Sequence, residues 1–134
     1  MTPFGAKLRT LRAERNITLR AMAGRLEVSA AYLSALEHGR RGTPSPGLVQ
    51  QICAVLGLIW DDAQDLADLA RLSNPSFTVN TAGLSPEQTA LANRLARRLR
   101  DLPPETVSAM HGLLDAAPTQ KPRLRRKARR EESP

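Results

Sequence analysis

Apolar residues near the start of the chain recur every three or four positions, a spacing that predicts amphipathic helices rather than strands. Residues that start or end helices separate these stretches. Thr18 and Ser29 are suited to be N-caps, Pro46 to be a first helical residue and Gly39 to be a left-handed stop, and the apolar stripe of the fourth helix ends at Gly57. The pattern therefore predicts five short helices over residues 4–14, 19–26, 30–39, 46–56 and about 63–72, the last capped by Asp61 or Asp62.

The first helix illustrates how the two faces are assigned. Phe4, Leu8 and Leu11 fall at helical spacing and are expected to face the core. We place Lys7, Arg9 and Arg12 on the other side, in solvent.

The pattern changes after Leu72. Pro75 and Gly83 interrupt residues 74–84, where "SFTVN" has the alternation of one short strand, so this stretch is predicted to be a linker or a short strand. Ser85, Pro86 and Gln88 have capping-box spacing and open a helix to about residue 101. A further helix covers about residues 103–116. Leucines form a seam along the first of these helices, which is either intrachain core or, as we favour, a dimer interface: Leu91, Leu95, Leu99 and Leu102.

Charge is distributed unevenly along the chain. The net charge is +7, and residues 117–134 carry seven basic and two acidic residues, so most of the excess lies there. This tail has no apolar periodicity and is predicted to be disordered when free. A basic excess favours an acidic partner, most often nucleic acid. The predicted organisation is a domain at 1–73, a linker at 74–84, helices at 85–116 and the tail at 117–134.

Several function classes lack the residues they need. Cys53 is the only cysteine and lies in an apolar helical run, which indicates a core thiol rather than a disulfide or a thiolate metal site. We expect no metal site, no cofactor and no catalytic residues, hence no enzyme. The chain has no apolar run of membrane-spanning length and no signal-peptide pattern, which predicts a cytoplasmic protein that avoids membranes.

The second and third predicted helices have the pattern of a helix-turn-helix unit. Ala23 is small enough for close helix crossing, and Val28 precedes the cap of the third helix. Leu33 and Leu36 would anchor that helix to the core, so its other side would face out. Glu37 is expected to bond back to the first helix or to cap the following loop rather than to contact a base.

The run "LRTLRAERNITLRAMAGRLEVSAAYLSALEHGRR" resembles the Xre family, the lambda-repressor/Cro type of helix-turn-helix regulators. The resemblance covers about residues 4–72 and implies an all-α fold with a five-helix lambda-repressor-like domain. It also implies binding to double-stranded DNA. The residues that it assigns to DNA phosphate are Thr18, Arg20, Arg40 and Arg41, and those it assigns to the major groove are Ala30, Ala31, Tyr32, Ser34 and Ala35. Ser29 would in addition present the helix N-terminus to a phosphate.

Two features depart from the family pattern. Leu19 stands where many members have a glutamine that fixes the protein on the backbone. Ala30, Ala31 and Ala35 stand where long amides are common, and alanine can only touch a thymine methyl. Each missing bidentate contact forgoes about 1–3 kcal/mol of base discrimination. Sequence preference would then depend on Tyr32, Ser34 and Arg40, on DNA shape and on the spacing of two half-sites in a dimer.

Three functions follow from this sequence. The first is a transcriptional regulator, a repressor, that reads an inverted repeat through residues 29–38 as a homodimer joined by the leucine seam. The second is an antitoxin or adaptor that binds a partner protein through residues 77–116 and regulates its own operon. The third is non-specific nucleic-acid binding by the basic tail.

Overall fold

The computed structural model describes residues 1–119, and these contain helices and no strand, so the all-α prediction is confirmed. They divide into two compact units, residues 1–78 (unit 1) and residues from 79 onward (unit 2). The predicted disorder of the tail concerns mainly residues 120–134, which lie outside the described residues. The α-helices are α1 (Pro3–Glu14), α2 (Leu19–Leu26), α3 (Ala30–Glu37), α4 (Pro46–Leu56), α5 (Trp60–Arg71), α6 (Pro86–Arg98) and α7 (Pro104–Ala116), and a 3-10 turn (Leu99–Asp101) follows α6.

Short polar side chains start most helices of unit 1. The Thr18 hydroxyl accepts a hydrogen bond from the Ala21 N–H, and the Ser29 hydroxyl accepts one from the Tyr32 N–H, both at 3.0 Å. These bonds satisfy amides that have no partner inside the helix. The predicted caps of α2 and α3 are therefore confirmed, as is the left-handed stop at Gly39, with φ of +82°. Gly57, at the end of α4, is also left-handed, with φ of +71°.

The start of α5 differs from the prediction. Ile59, rather than Asp61 or Asp62, is the N-cap, and it makes no side-chain capping bond. Both aspartates lie inside the first turn, where their charge favours the positive end of the helix dipole. Trp60 has φ of +53°, which brings the chain into the helix one residue before the aspartates.

Of the two alternatives predicted for residues 74–84, a linker or a short strand, the strand does not form. The side chain of Asn74 accepts a hydrogen bond from the Ser76 N–H, and that of Asn80 accepts one from the Ala82 N–H. Asparagine turns of this kind use the backbone donors that a strand would offer to a neighbour. The alternation of "SFTVN" therefore has no pairing partner among the described residues.

One core holds the five helices of unit 1 together. Helices α1, α2, α4 and α5 supply most of it, and α3 packs against α1 and α2. This core fixes α3 by one face and leaves its opposite face at the surface. The large side chains with essentially no exposure are Phe4, Leu8, Met22, Leu33, Leu36, Ile52 and Leu66.

Unit 2 consists of α6, the 3-10 turn and α7. The capping box predicted at its start is confirmed, since Ser85 and Gln88 exchange hydrogen bonds at 2.9 and 3.1 Å. No residue of α6 or α7 is buried. The predicted leucine seam is thus largely solvent-facing, with Leu91 and Leu99 more than half exposed. No helix in the described part of the chain is long and apolar enough to cross a membrane.

Candidate nucleic-acid interface

A tight turn joins α2 to α3. Glu27 takes a left-handed conformation at φ +59°, so its N–H reaches the Gly24 carbonyl and the Val28 N–H reaches the Ala23 carbonyl at 3.0 Å. These bonds satisfy the carbonyls at the end of α2. Ala23 is buried on the inner side of α2. The chain then turns directly into the N-cap of α3, so the two helices meet at a fixed angle.

The buried face of α3 determines which residues it can offer to a ligand. Leu33, Leu36 and Glu37 are buried, and they share one side of the helix at spacings of three and four. Ala31 is exposed on the far side, and Ser34 and Ala35 are half-buried between the two sides. Ala30 packs against the core, so fewer of the α3 alanines face solvent than the sequence indicates.

The predicted phosphate ligands border this face. Thr18, Arg20 and Ser29 are exposed at the starts of α2 and α3, and Arg40 and Arg41 are exposed just beyond α3. The Thr18 and Ser29 oxygens accept capping bonds, which leaves each hydroxyl hydrogen available to an outside acceptor. Arg20, Arg40 and Arg41 form no ion pair with any described residue. Exposed donors that form no ion pair with described residues therefore lie just before and just after α3.

Tyr32 and Arg41 lie together, which the sequence did not indicate. The Arg41 guanidinium carbon is 5.7 Å from the centre of the Tyr32 ring, within the range of a cation–π contact. Tyr32 is half-buried and packs against the core of unit 1. The tyrosine thus limits where the arginine can point, although the two residues are nine positions apart.

Glu37 ties α3 to α1, as the sequence predicted. It is 1% exposed, and its carboxylate accepts a hydrogen bond at 3.2 Å from Arg12. The placement of Arg12 in solvent is wrong, because its side chain is 11% exposed. Leu8 and Arg12 are four residues apart and share a helix face, the signal that identifies Arg12 as inward. Arg9 lies 3.9 Å from the same carboxylate at the surface.

The start of α1 also contacts the end of α3. The Thr2 N–H and hydroxyl donate to the Glu37 carbonyl at 3.1 and 3.2 Å. A Cβ at Gly5 would lie 2.0 Å from that carbonyl oxygen, so only glycine permits this approach. No periodicity in the sequence points to Thr2 or Gly5. Both residues set the position of α3 without reaching the surface that would touch a ligand.

Comparison with known proteins agrees with this geometry. The family model described as a helix-turn-helix domain matches residues 3–67, which lie within unit 1. An uncharacterized HTH-type transcriptional regulator of Bacillus subtilis (strain 168), RghRB, is 39% identical over 62 residues, 46% of this chain and 45% of that protein. The HTH-type transcriptional repressor RghR of the same strain is 38% identical over 61 residues, again 46% and 45% of the two chains.

The matched region is thus less than half of each of these relatives. No solved structure matches significantly.

Proposed function

We propose that this protein is a transcriptional regulator that binds double-stranded DNA, with the outer face of α3 in the major groove. The observation that carries the proposal is that exposed donors without an ion pair to described residues lie just before and just after an α3 surface fixed by the core. Helix-turn-helix units dock their second helix in this manner. The two Bacillus relatives, one of them a transcriptional repressor by name, support regulation of transcription as the function.

Each candidate residue has a proposed role. Thr18, Arg20, Arg40 and Arg41 bind phosphate, because they are exposed at the start of α2 and just beyond α3. Ser29 and the amides at the start of α3 bind a phosphate as well. The residues proposed to face the groove are Ala30, Ala31, Tyr32, Ser34 and Ala35, of which Ala30 contributes least because it packs inward.

Alanine-rich readout makes phosphate contacts a large share of the affinity. Ala31 and Ala35 supply only methyl contacts, so base discrimination rests on Tyr32, Ser34 and the shape of the DNA. We propose that a homodimer compensates for this by reading two half-sites of an inverted repeat and acts as a repressor. Unit 2 supports the homodimer, since Leu91, Leu99, Leu113 and Leu114 are all more than half exposed.

The alternative function uses the same exposed leucines differently. An antitoxin or adaptor would cover them with another protein and regulate its own operon. Sedimentation of the purified chain separates the two: a dimer favours the regulator, and a monomer favours the adaptor. Leu91→Glu should dissociate the dimer because it places a charge in the apolar contact. Asn93→Glu, at an exposed polar position of the same helix, should leave the dimer intact.

Substitutions on unit 1 test the DNA surface. Arg40→Ala should weaken binding to selected and scrambled duplexes alike, and lower the slope of log K against log salt by about 1, because it removes a phosphate contact. Tyr32→Ala should reduce the difference in affinity between the selected and the scrambled duplex, because it removes a side chain proposed to contact bases. Lys7→Ala removes an exposed charge from α1 and should change neither the affinity for the two duplexes nor the difference between them. If Arg40→Ala and Tyr32→Ala both leave binding unchanged, α3 does not enter the groove.

A further inference from the structure

The path of the chain beyond α3 brings Arg41 next to Tyr32. Gly39 has a φ of +82°, and the Arg40 N–H donates to the Ala35 carbonyl at 2.8 Å. A left-handed glycine followed by a hydrogen bond of this length along the chain is the Schellman ending of a helix. It fixes the backbone just before Arg41, so this side chain extends from a defined position.

The Tyr32 ring is held from two sides. The Tyr32 N–H donates to the Ser29 hydroxyl at 3.0 Å, in the first turn of α3. The side chain is half-buried and packs against the core of unit 1. An aromatic side chain has few rotatable bonds, so it is ordered at little cost in entropy. The ring therefore offers a fixed surface at the side of α3.

The contact between Arg41 and Tyr32 leaves the hydrogen-bond donors of the arginine unused. The Arg41 guanidinium carbon lies 5.7 Å from the centre of the ring. A cation–π contact is an attraction to the face of the ring and takes up no N–H group, whereas an ion pair with a carboxylate would. Arg41 forms no ion pair with a described residue. Its guanidinium is thus held in place and can still bind a phosphate in a bidentate manner.

We propose that Tyr32 is a positioning residue for DNA binding, because its ring holds Arg41 in the orientation that meets a backbone phosphate. An arginine that is free in solvent loses rotamer entropy when it binds, and the ring removes part of this loss beforehand. The inference rests on the proposed DNA binding and gives Tyr32 two separable roles. The hydroxyl contacts bases, and the ring acts through Arg41 on the affinity for any sequence.

A double-mutant cycle on the scrambled duplex tests the role of the ring. Tyr32→Leu keeps an apolar side chain on the core and removes the ring face. It should raise the Kd about two- to fivefold, because the fraction of Arg41 in the binding orientation falls by up to the worth of an exposed cation–π contact. In the Arg41→Gln background, Tyr32→Leu should have no further effect. Tyr32→Phe keeps the ring and should leave this Kd unchanged, while it reduces the preference for the selected duplex.

Arg20 provides the matched control. It is an exposed arginine at the start of α2 with the same proposed role, and it makes no cation–π contact with a described residue. The effects of Tyr32→Leu and Arg20→Gln on the free energy of binding should therefore add. A merely structural effect of Tyr32→Leu would persist in both arginine backgrounds, so its loss with Arg41→Gln alone indicates positioning.

NMR spectra of the full chain without DNA measure the contact itself. The ring current of the tyrosine should displace the side-chain resonances of Arg41. This displacement should persist in Tyr32→Phe and vanish in Tyr32→Leu. Its absence from the unsubstituted protein would overturn the inference, because the ring would then not hold the arginine.

The titrations separate failure of this inference from failure of the proposed function. If the unsubstituted protein binds DNA but Tyr32→Leu acts equally with and without Arg41→Gln, the inference is wrong and DNA binding stands. The same holds if Tyr32→Phe weakens binding to the scrambled duplex as much as Tyr32→Leu does, since the hydroxyl would then be responsible. If the unsubstituted protein binds neither duplex, the proposed function fails and the inference fails with it.

Discussion

Contacts with one residue, Glu37 at the end of α3, set the position of this helix. The Glu37 carbonyl accepts two hydrogen bonds from Thr2, and its carboxylate is held by Arg12 at 3.2 Å. Gly5 lies against the same carbonyl. All of these contacts join α1 or its N-cap to a single residue of α3. A change at any of them should therefore affect the stability of unit 1 and the orientation of α3 together.

Gly5→Ala tests the closest of these contacts. The new methyl would lie 2.0 Å from a backbone oxygen, so α1 and α3 must separate. We expect the free energy of unfolding to fall by about 3 kcal/mol, measured by urea denaturation with far-UV circular dichroism as the signal of helix content. Gly24→Ala is the matched control, because no atom lies within 4 Å of its Cβ. It should raise the free energy of unfolding by about 0.5–1 kcal/mol through helix propensity. Equal effects of the two substitutions would contradict the close approach.

The pair of Arg12 and Glu37 allows a second test. Arg12→Ala leaves a buried carboxylate without its main partner and should lower the free energy of unfolding by about 3–5 kcal/mol. Arg9→Ala removes a partner that is 57% exposed and should cost less than about 1 kcal/mol. The double variant Arg12→Met/Glu37→Met should recover most of the loss, since no buried charge remains. If Arg12→Ala costs no more than Arg9→Ala in the same urea titration, Arg12 does not hold Glu37.

At the scale of elements, local signals in the sequence predicted the helices of unit 1 well. Threonine and serine caps and left-handed glycines act within a few residues, so Thr18, Ser29 and Gly39 could be identified from the sequence alone. The start of α5 could not, because a positive φ at Trp60 has no local sequence signal. The strand expected at "SFTVN" failed because pairing needs a neighbour, which the pattern of one segment does not reveal.

In the candidate interface too, features set by local sequence were predictable and contacts between distant residues were not. Periodicity predicted that Leu33 and Leu36 are buried, and this fixed which side of α3 is exposed. Contacts between distant positions were not predictable: Arg41 on Tyr32, Thr2 on Glu37, and the inward turn of Arg12.

At the scale of the whole molecule, positive charge has two sources with different consequences. Unit 1 offers Arg20, Arg40 and Arg41 around α3, and residues 117–134 add seven basic residues. Arginines at fixed positions can select a register on DNA, whereas a run of charge without apolar periodicity supplies affinity for any sequence. The two contributions are therefore separable by deletion.

Deleting residues 117–134 should lower affinity for every duplex and keep the preference for the selected site. The salt dependence of binding should also become shallower, because fewer counterions are released. Titrations of the full and shortened chains at two salt concentrations measure both effects. Replacing the seven basic residues of the tail by glutamine is the control for its length. If deletion of the tail also abolished the preference for the selected site, non-specific nucleic-acid binding by the tail would be favoured.

The most direct test of the account is selection of bound duplexes from random DNA, followed by titration of the selected site and a scrambled control. We predict an enriched inverted repeat that binds much more tightly than the control at both low and high salt. Equal affinities for the two duplexes, falling together as salt rises, would contradict sequence-specific recognition by α3.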